Sequence, residues 1–246
     1  SDSTINGFSH THLSGTGCCD YGDVLIMPTI GEQKFAYLGK SSQQMAYASD
    51  FSHEREIAEP GYYSVFLESY GINAELTATK RGALHRYTFP ESKQAGMIVD
   101  LDYSLQRQRN ENMSIEVVSD TEIVGSKMTV YWAFEQKIYF YAKFSKPFSS
   151  YQIISDTIVT EEGKIPQAKV LIQFNETHRD EQVFVKVGVS AVDINGAKNN
   201  VLTEIPDWNF NAVRLAAKKE WNDLLSRIEV ETDDEAGNHD TNQSED

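Results

Sequence analysis

The sequence predicts a mainly β protein, a large antiparallel β-sandwich closed by one C-terminal helix. Three observations carry this. Short runs rich in β-branched and aromatic residues follow one another at roughly ten-residue spacing, separated by turn residues. Only one segment has a helical period. No repeat of fixed period is visible, which argues against a propeller or a solenoid. With 246 residues, 40% of them apolar and 11% aromatic, the chain can fill a large core.

The elements follow in order. "DVLIMPTI" reads as a buried strand ended by Pro28, and "GYYSVFLE", "INAELTATKR", "ALHRYTFP" and "AGMIVDLDY" continue the pattern. The middle adds "SIEVVSD", "TEIVGSKM", "MTVYWAFEQKIYFYAKFS" and "SYQIISDTIV". Within the third of these, Ile138, Phe140, Ala142 and Phe144 alternate with Tyr139, Tyr141 and Lys143, the period of two expected of a strand with two different faces. "KVLIQF" and "QVFVKVGVSAV", joined by the polar "NETHRDE", predict a hairpin. From Asn211 to Ile228 the apolar residues Val213, Ala217, Trp221, Leu224, Leu225 and Ile228 recur at three and four, which predicts an amphipathic helix capped by Asp207 or Asn209 after Pro206. The predicted division is therefore a sandwich domain over 1–206, a linker helix over 207–230 and an acidic, disordered tail over 231–246.

Net charge is −15, but the stretch from Glu229 to Asp246 holds eight acidic residues and no Lys or Arg. The body is only mildly acidic and shows no basic cluster, so neither nucleic acid nor anionic lipid is an expected partner. No apolar run approaches the roughly 18 residues of a membrane span, and "SDSTINGF" lacks the features of a signal peptide. Cys18 and Cys19 are neighbours, which disfavours a disulfide between them and leaves two free thiols.

The chemistry is concentrated between Gly7 and Asp23, "GFSHTHLSGTGCCDYGD". In a strand His10 and His12 would point to one face and present two imidazoles to a metal ion. A third ligand would have to come from His53, His85, His178 or an unplaced carboxylate, and the plainer reading packs both histidines into a pocket wall. "SGTG" lacks the rest of a phosphate loop, and a nucleophile at Ser14 or Cys18 has no base at a telling spacing. Carboxylate pairs such as Asp20 with Asp23 and Asp100 with Asp102 do not reveal an acid and base held across a sugar. The glycines suit turns or a close backbone approach.

The stretch "NGFSHTHLSGTGCCDYGDVLIMP" resembles the signature of glycoside hydrolase family 92, the calcium-dependent α-mannosidases, and specifically of their N-terminal domain. "FSHEREIAEPGYYSVFL", "ELTATKRGALHRYTFP" and "IPDWNFNAVRLAAKKEWNDLLSRIEVE" extend the resemblance, in order, to about Glu231. It implies a β-supersandwich of galactose-mutarotase type, a helical linker and then an (α/α)₆ barrel, with the active site between the domains. It also implies removal of terminal α-mannose from substrates such as N-glycans with inversion, a glutamic acid and an aspartate as acid and base, a Ca²⁺ cofactor, and a periplasmic or secreted location.

On this resemblance the chain supplies substrate contacts and no catalytic or metal-binding residue. His10, His12, Ser14, Gly15 and Asp20 are the expected sugar-facing set, with Arg86 as a second candidate that equally suits an arginine tying strands together. The aromatic segment that precedes the motif in the family, the helical catalytic domain, the acid, the base and most of the calcium site have no counterpart in this sequence. The 246-residue chain is therefore expected to be inactive alone and to expose an apolar patch where its helical partner domain would pack. The competing expectation is an autonomous carbohydrate-binding or interaction module, with Trp132, Tyr139, Tyr141, Trp208 or Trp221 stacking on sugars. Against it, Trp132 and Tyr139 fall in strands and Trp221 on the apolar stripe of the helix, where core packing is the ordinary role.

Overall fold

A computed structural model describes residues 3–12, 21–36, 38, 44–105, 109–131, 134–154, 157–160, 163–166 and 168–229. Its strands are β1 (Thr4–Ile5), β2 (Leu25–Ile30), β3 (Ser49–Asp50), β4 (Glu56–Glu59), β5 (Tyr62–Leu67), β6 (Ile72–Ala78), β7 (Gly82–Phe89) and β8 (Ala95–Asp100). They continue with β9 (Arg109–Ser119), β10 (Glu122–Val130), β11 (Gln136–Phe144), β12 (Ser150–Ile154), β13 (Thr157–Thr160), β14 (Gly163–Pro166), β15 (Lys169–Gln173) and β16 (Glu181–Ser190). Two helices close the chain, α1 (Ile194–Glu204) and α2 (Phe210–Leu225).

The expected β-sandwich is present. An eight-stranded antiparallel sheet in the order β4-β5-β6-β7-β16-β11-β10-β9 faces a four-stranded one in the order β12-β15-β8-β2. The core between them draws Val65, Tyr87, Phe140, Phe144 and Val185 from the large sheet and Ile26, Met97, Val99, Val170 and Ile172 from the small one, all buried. The outer face of the large sheet is covered as well. Leu84 and Tyr141 pack there against Ala197, Val201 and Ile205 of the α1 segment and Phe210 of α2. That third layer explains why Tyr141, on the more polar face predicted for β11, is only 1% exposed.

Four local expectations are corrected. Pro28 does not end its strand but pairs with Met97 inside β2, which is possible because β2 is the outer strand of its sheet. β15 and β16 do not form a hairpin; the turn between them carries the chain from the small sheet to the large one. The run from Met128 to Ser145 is two strands, β10 and β11, paired antiparallel. The segment 194–204, read as part of the sandwich, is helical. Asp193 caps α1 by accepting from the Gly196 amide, and Ala197 and Val201 are its buried residues.

The helices dock where the sheet offers no side chain. A Cβ on Gly188 of β16 would run into the carbonyl oxygen of Ala197, and one on Gly61, at φ +81°, would lie 2.8 Å from the Ala217 Cβ. Gly188→Val is therefore expected to cost about 2–3 kcal/mol by prising α1 off the sheet. Urea unfolding checks this, and a midpoint unchanged from wild type would show that α1 contributes little.

As expected, Asn209 caps α2, accepting from the Ala212 amide. Only the first half of its stripe packs. Ala217 is buried, whereas Trp221, Leu224, Leu225 and Ile228 are 49%, 50%, 57% and 80% exposed, so core packing does not hold for Trp221. Trp132 and the acidic tail lie outside the described residues. Among the described residues no helix is long and apolar enough to cross a membrane.

Candidate functional site

Backbone pairing builds the two described ends of the opening motif into a two-stranded ribbon. Phe8 and Ile26 exchange both bonds at 2.9 Å, the His10 amide donates to Asp23 O at 2.9 Å, and the Gly22 amide donates to Thr11 O at 2.8 Å. This lays residues 8–12 antiparallel to 21–26 and sets His10 and His12 two positions apart at one end of the large sheet. There they line a cleft of about 370 Å³ with Ser9, Tyr62, Tyr63, Thr77 and His85, which continues along the β6–β7 turn past Arg81.

His10 is tightly held. Its Nδ1 lies 2.5 Å from Val24 O and its Nε2 lies 3.2 Å from Nε2 of His85. Nδ1 of His85 is in turn 2.7 Å from the Tyr87 hydroxyl. Burial pushes the His10 ring down to about 4, despite its bond to Val24, and pushes His85 well below the ordinary histidine value, with His10 adding to the effect. Both rings are neutral at pH 7. His12 is exposed and meets the Ser9 hydroxyl at 2.8 Å.

A buried polar layer supports the ribbon. The Thr11 hydroxyl donates to Asp23 Oδ2 at 2.7 Å, and Lys127 Nζ reaches Asp23 Oδ1 at 2.7 Å with both side chains fully buried. Lys127 also donates to Tyr103 O at 2.8 Å. Nearby, Lys169 bridges Asp100, at 2.8 Å, and Asp102. The Tyr47 hydroxyl donates to Asp100 at 2.5 Å.

Of the residues predicted to face a sugar, the structure brings His10 and His12 together in the cleft. Arg86 is elsewhere. On β7 it points to the face opposite His85 and Tyr87, donating to both oxygens of Glu75 at 2.6 and 2.7 Å and lying over the Phe210 ring at 4.4 Å. Burial works against ionisation of Glu75, but bonds from Arg86 and Tyr62 outweigh it and hold the carboxyl below its usual range. Arg86 thus ties β6, β7 and α2 together. Ser14, Gly15 and Asp20 lie outside the described residues. Of the three histidines weighed as partners of the motif, His85 meets His10, while His53 turns to Glu56. Tyr62, Tyr63 and Thr77 were not anticipated as lining, since nothing in a strand pattern marks which end of a sheet meets a distant loop.

The family model described as the glycosyl hydrolase family 92 N-terminal domain matches residues 1–190. The chain belongs to glycosyl hydrolase family 92. The model of that family's catalytic domain matches residues 196–243, beginning within α1. The α-mannosidase BT3965 of Bacteroides thetaiotaomicron superposes with a TM-score of 0.82 at 33% identity, over 94% of this chain and 32% of that one. The inverting mannosidase BT2199 of the same organism gives 0.75 at 26% identity, over 94% and 30%. A protein of Arthroderma benhamiae named as an uncharacterized secreted glycosidase is 27% identical over 94% of this chain and 33% of its own length. The family 92 chain thus spans about a third of the length of these relatives.

Proposed function

We propose that this chain supplies the N-terminal wall of the sugar site in an inverting, Ca²⁺-dependent exo-α-mannosidase acting on α-mannosides such as N-glycan mannose, in the periplasm or outside the cell. The observation that carries the proposal is the likeness to two mannosidase structures over 94% of the chain. The N-terminal and catalytic domain models matching in succession give it further support. The exposed apolar end of α2, with Trp221, Leu224 and Leu225 49%, 50% and 57% exposed, is the surface a helical catalytic domain would cover.

In this division of labour the acid, the base and the calcium belong to the helical domain. Among the described residues no group of three or more His, Cys, Asp or Glu is placed to hold a metal, and the buried pair Asp100 and Asp102 is already engaged by Lys169. Inversion needs two carboxyl groups separated by enough space for a water beneath the sugar. The cleft wall offers imidazole, hydroxyl and aromatic surface, which bind and orient, and the carboxylate that lines it, Glu59, is paired with Arg214.

Joining residues 1–229 to a family 92 helical domain tests the reading. The fusion is expected to release mannose from an α-mannoside, first as the β-anomer by NMR, and to lose activity in a chelator, while residues 1–246 alone show no turnover. A folded fusion without α-mannosidase activity would overturn the proposal. If the chain alone nevertheless bound methyl α-mannoside, the autonomous binding module would become the better reading.

A further inference from the structure

The cleft histidines differ in what their ring nitrogens have left to offer. Val24 O can only accept, so the neutral His10 ring carries its proton on Nδ1. Its Nε2 is then bare and accepts, which places the proton of His85 on Nε2. His85 Nδ1 is bare in turn, and the Tyr87 hydroxyl donates to it. The result is a chain of hydrogen bonds running one way from Tyr87 through His85 and His10 to Val24. Ring geometry agrees with it. The two imidazole planes are parallel within 4°, and their centroids, 5.0 Å apart, exceed the 3.2 Å nitrogen separation by nearly two ring radii, so the rings meet edge to edge and not face to face.

The far end of this chain is rigidly packed. Tyr87 is fully buried and His85 is 1% exposed, and Phe8 packs near both rings at centroid distances of 6.0 and 6.3 Å. Both nitrogens of His10 are spent inside the protein. His12 differs, because its bond to Ser9 lies in the open and a ligand hydroxyl can compete for it as water does.

We propose that Tyr87 and His85 are positioning residues of the cleft: they hold His10 in its Nδ1–H form as part of the wall, so that His12 is the imidazole presented to a sugar hydroxyl. The second half of this statement rests on the mannoside-binding reading above; the first half does not.

Long-range proton–nitrogen NMR on the ¹⁵N-labelled chain reads the tautomers directly. His10 is expected as Nδ1–H and His85 as Nε2–H, unchanged by added Zn²⁺. His10 as Nε2–H, rapid averaging of either ring, or Zn²⁺-induced shifts of both Nε2 signals would overturn the proposal, the last by making the pair a metal clamp. Acylation by diethyl pyrocarbonate, mapped by mass spectrometry, supplies a second readout. His12 is expected to react at least tenfold faster than His10, and His85→Phe, which keeps a ring in the aromatic cluster but removes the donor, is expected to bring His10 within threefold of His12. Equal rates in the wild type would overturn the assignment. Neither measurement contains a sugar, so failure of the mannosidase assay leaves this result standing, and failure here leaves that assay standing.

Discussion

Lys127→Met is expected to destabilise the chain by about 3–5 kcal/mol, because it strands a buried carboxylate. Lys127 and Asp23 are both fully buried at 2.7 Å, so removing the ammonium leaves the carboxylate charge without its cation. The net worth of such a pair is small, since desolvating two charges offsets most of their attraction, but the cost of breaking it from one side is large. The double variant Asp23→Asn with Lys127→Met should therefore recover more than half of the loss, as the introduced amide retains an oxygen for Thr11. Chemical denaturation of the three proteins measures both quantities. A single variant within about 1 kcal/mol of wild type would show that the bonds from Thr11, Thr129 and Gln136 hold the Asp23 carboxylate without Lys127. The damage should spread to the cleft, because the Asp23 carbonyl holds the His10 amide and its carboxylate holds Thr11.

This dependence marks the boundary of what the sequence reveals. Runs of β-branched and aromatic residues at even spacing made β5, β6 and β7 legible, and in the structure Val65, Ala74 and Tyr87 face one core. The same logic misjudged β15 and β16, where two apolar runs around a polar turn look like a hairpin whether they pair with each other or belong to opposite sheets. Helix α1 escaped because "INGAKNNVLTE" is rich in Asn and β-branched residues and buries only Ala197 and Val201, too narrow a stripe to register. Its stability comes from docking on Gly188 more than from its own propensity. In the site, His10 and His12 stood out by their small, polar surroundings. His85 was one of three histidines that could not be told apart and Lys127 did not stand out at all, because a histidine 75 residues away and a lysine in an ordinary strand gain their meaning only from tertiary contact. Arg86 shows the converse, a residue conspicuous beside His85 in the chain whose side chain points to the other face of the strand.

Acidification from pH 7 to pH 4 is expected to cost the chain about 3–4 kcal/mol before its exposed carboxylates contribute. Two histidines drive the loss. His10 is neutral down to about pH 4 in the folded state and burial holds His85 well below its ordinary value too, whereas both take up protons near 6.5 when unfolded. Between 6.5 and 4 the unfolded chain thus binds more protons, and stability falls as the pH falls, by up to about 1.4 kcal/mol per unit for each ring. Asp102 opposes them. Burial, with Asp100 beside it, raises its carboxyl to about 6 against Lys169, so from 6 to 3.8 the folded state binds the extra proton and gains stability on acidification. One histidine is cancelled over that interval and the other is not, which leaves a net slope of about one proton. Below about 4.5 the slope steepens again, because Glu75, held below its usual range by Arg86, is protonated more readily in the unfolded chain. Urea midpoints across this range should separate the contributions. His85→Phe is expected to flatten the loss between about pH 6.5 and 4, and Asp102→Asn to steepen it between about 6 and 4. A wild-type stability that rises as the pH falls from about 7 to 4.5, leaving Asp102 unopposed, would mean that the His10 and His85 rings charge freely, and that the cleft wall is open where the structure closes it.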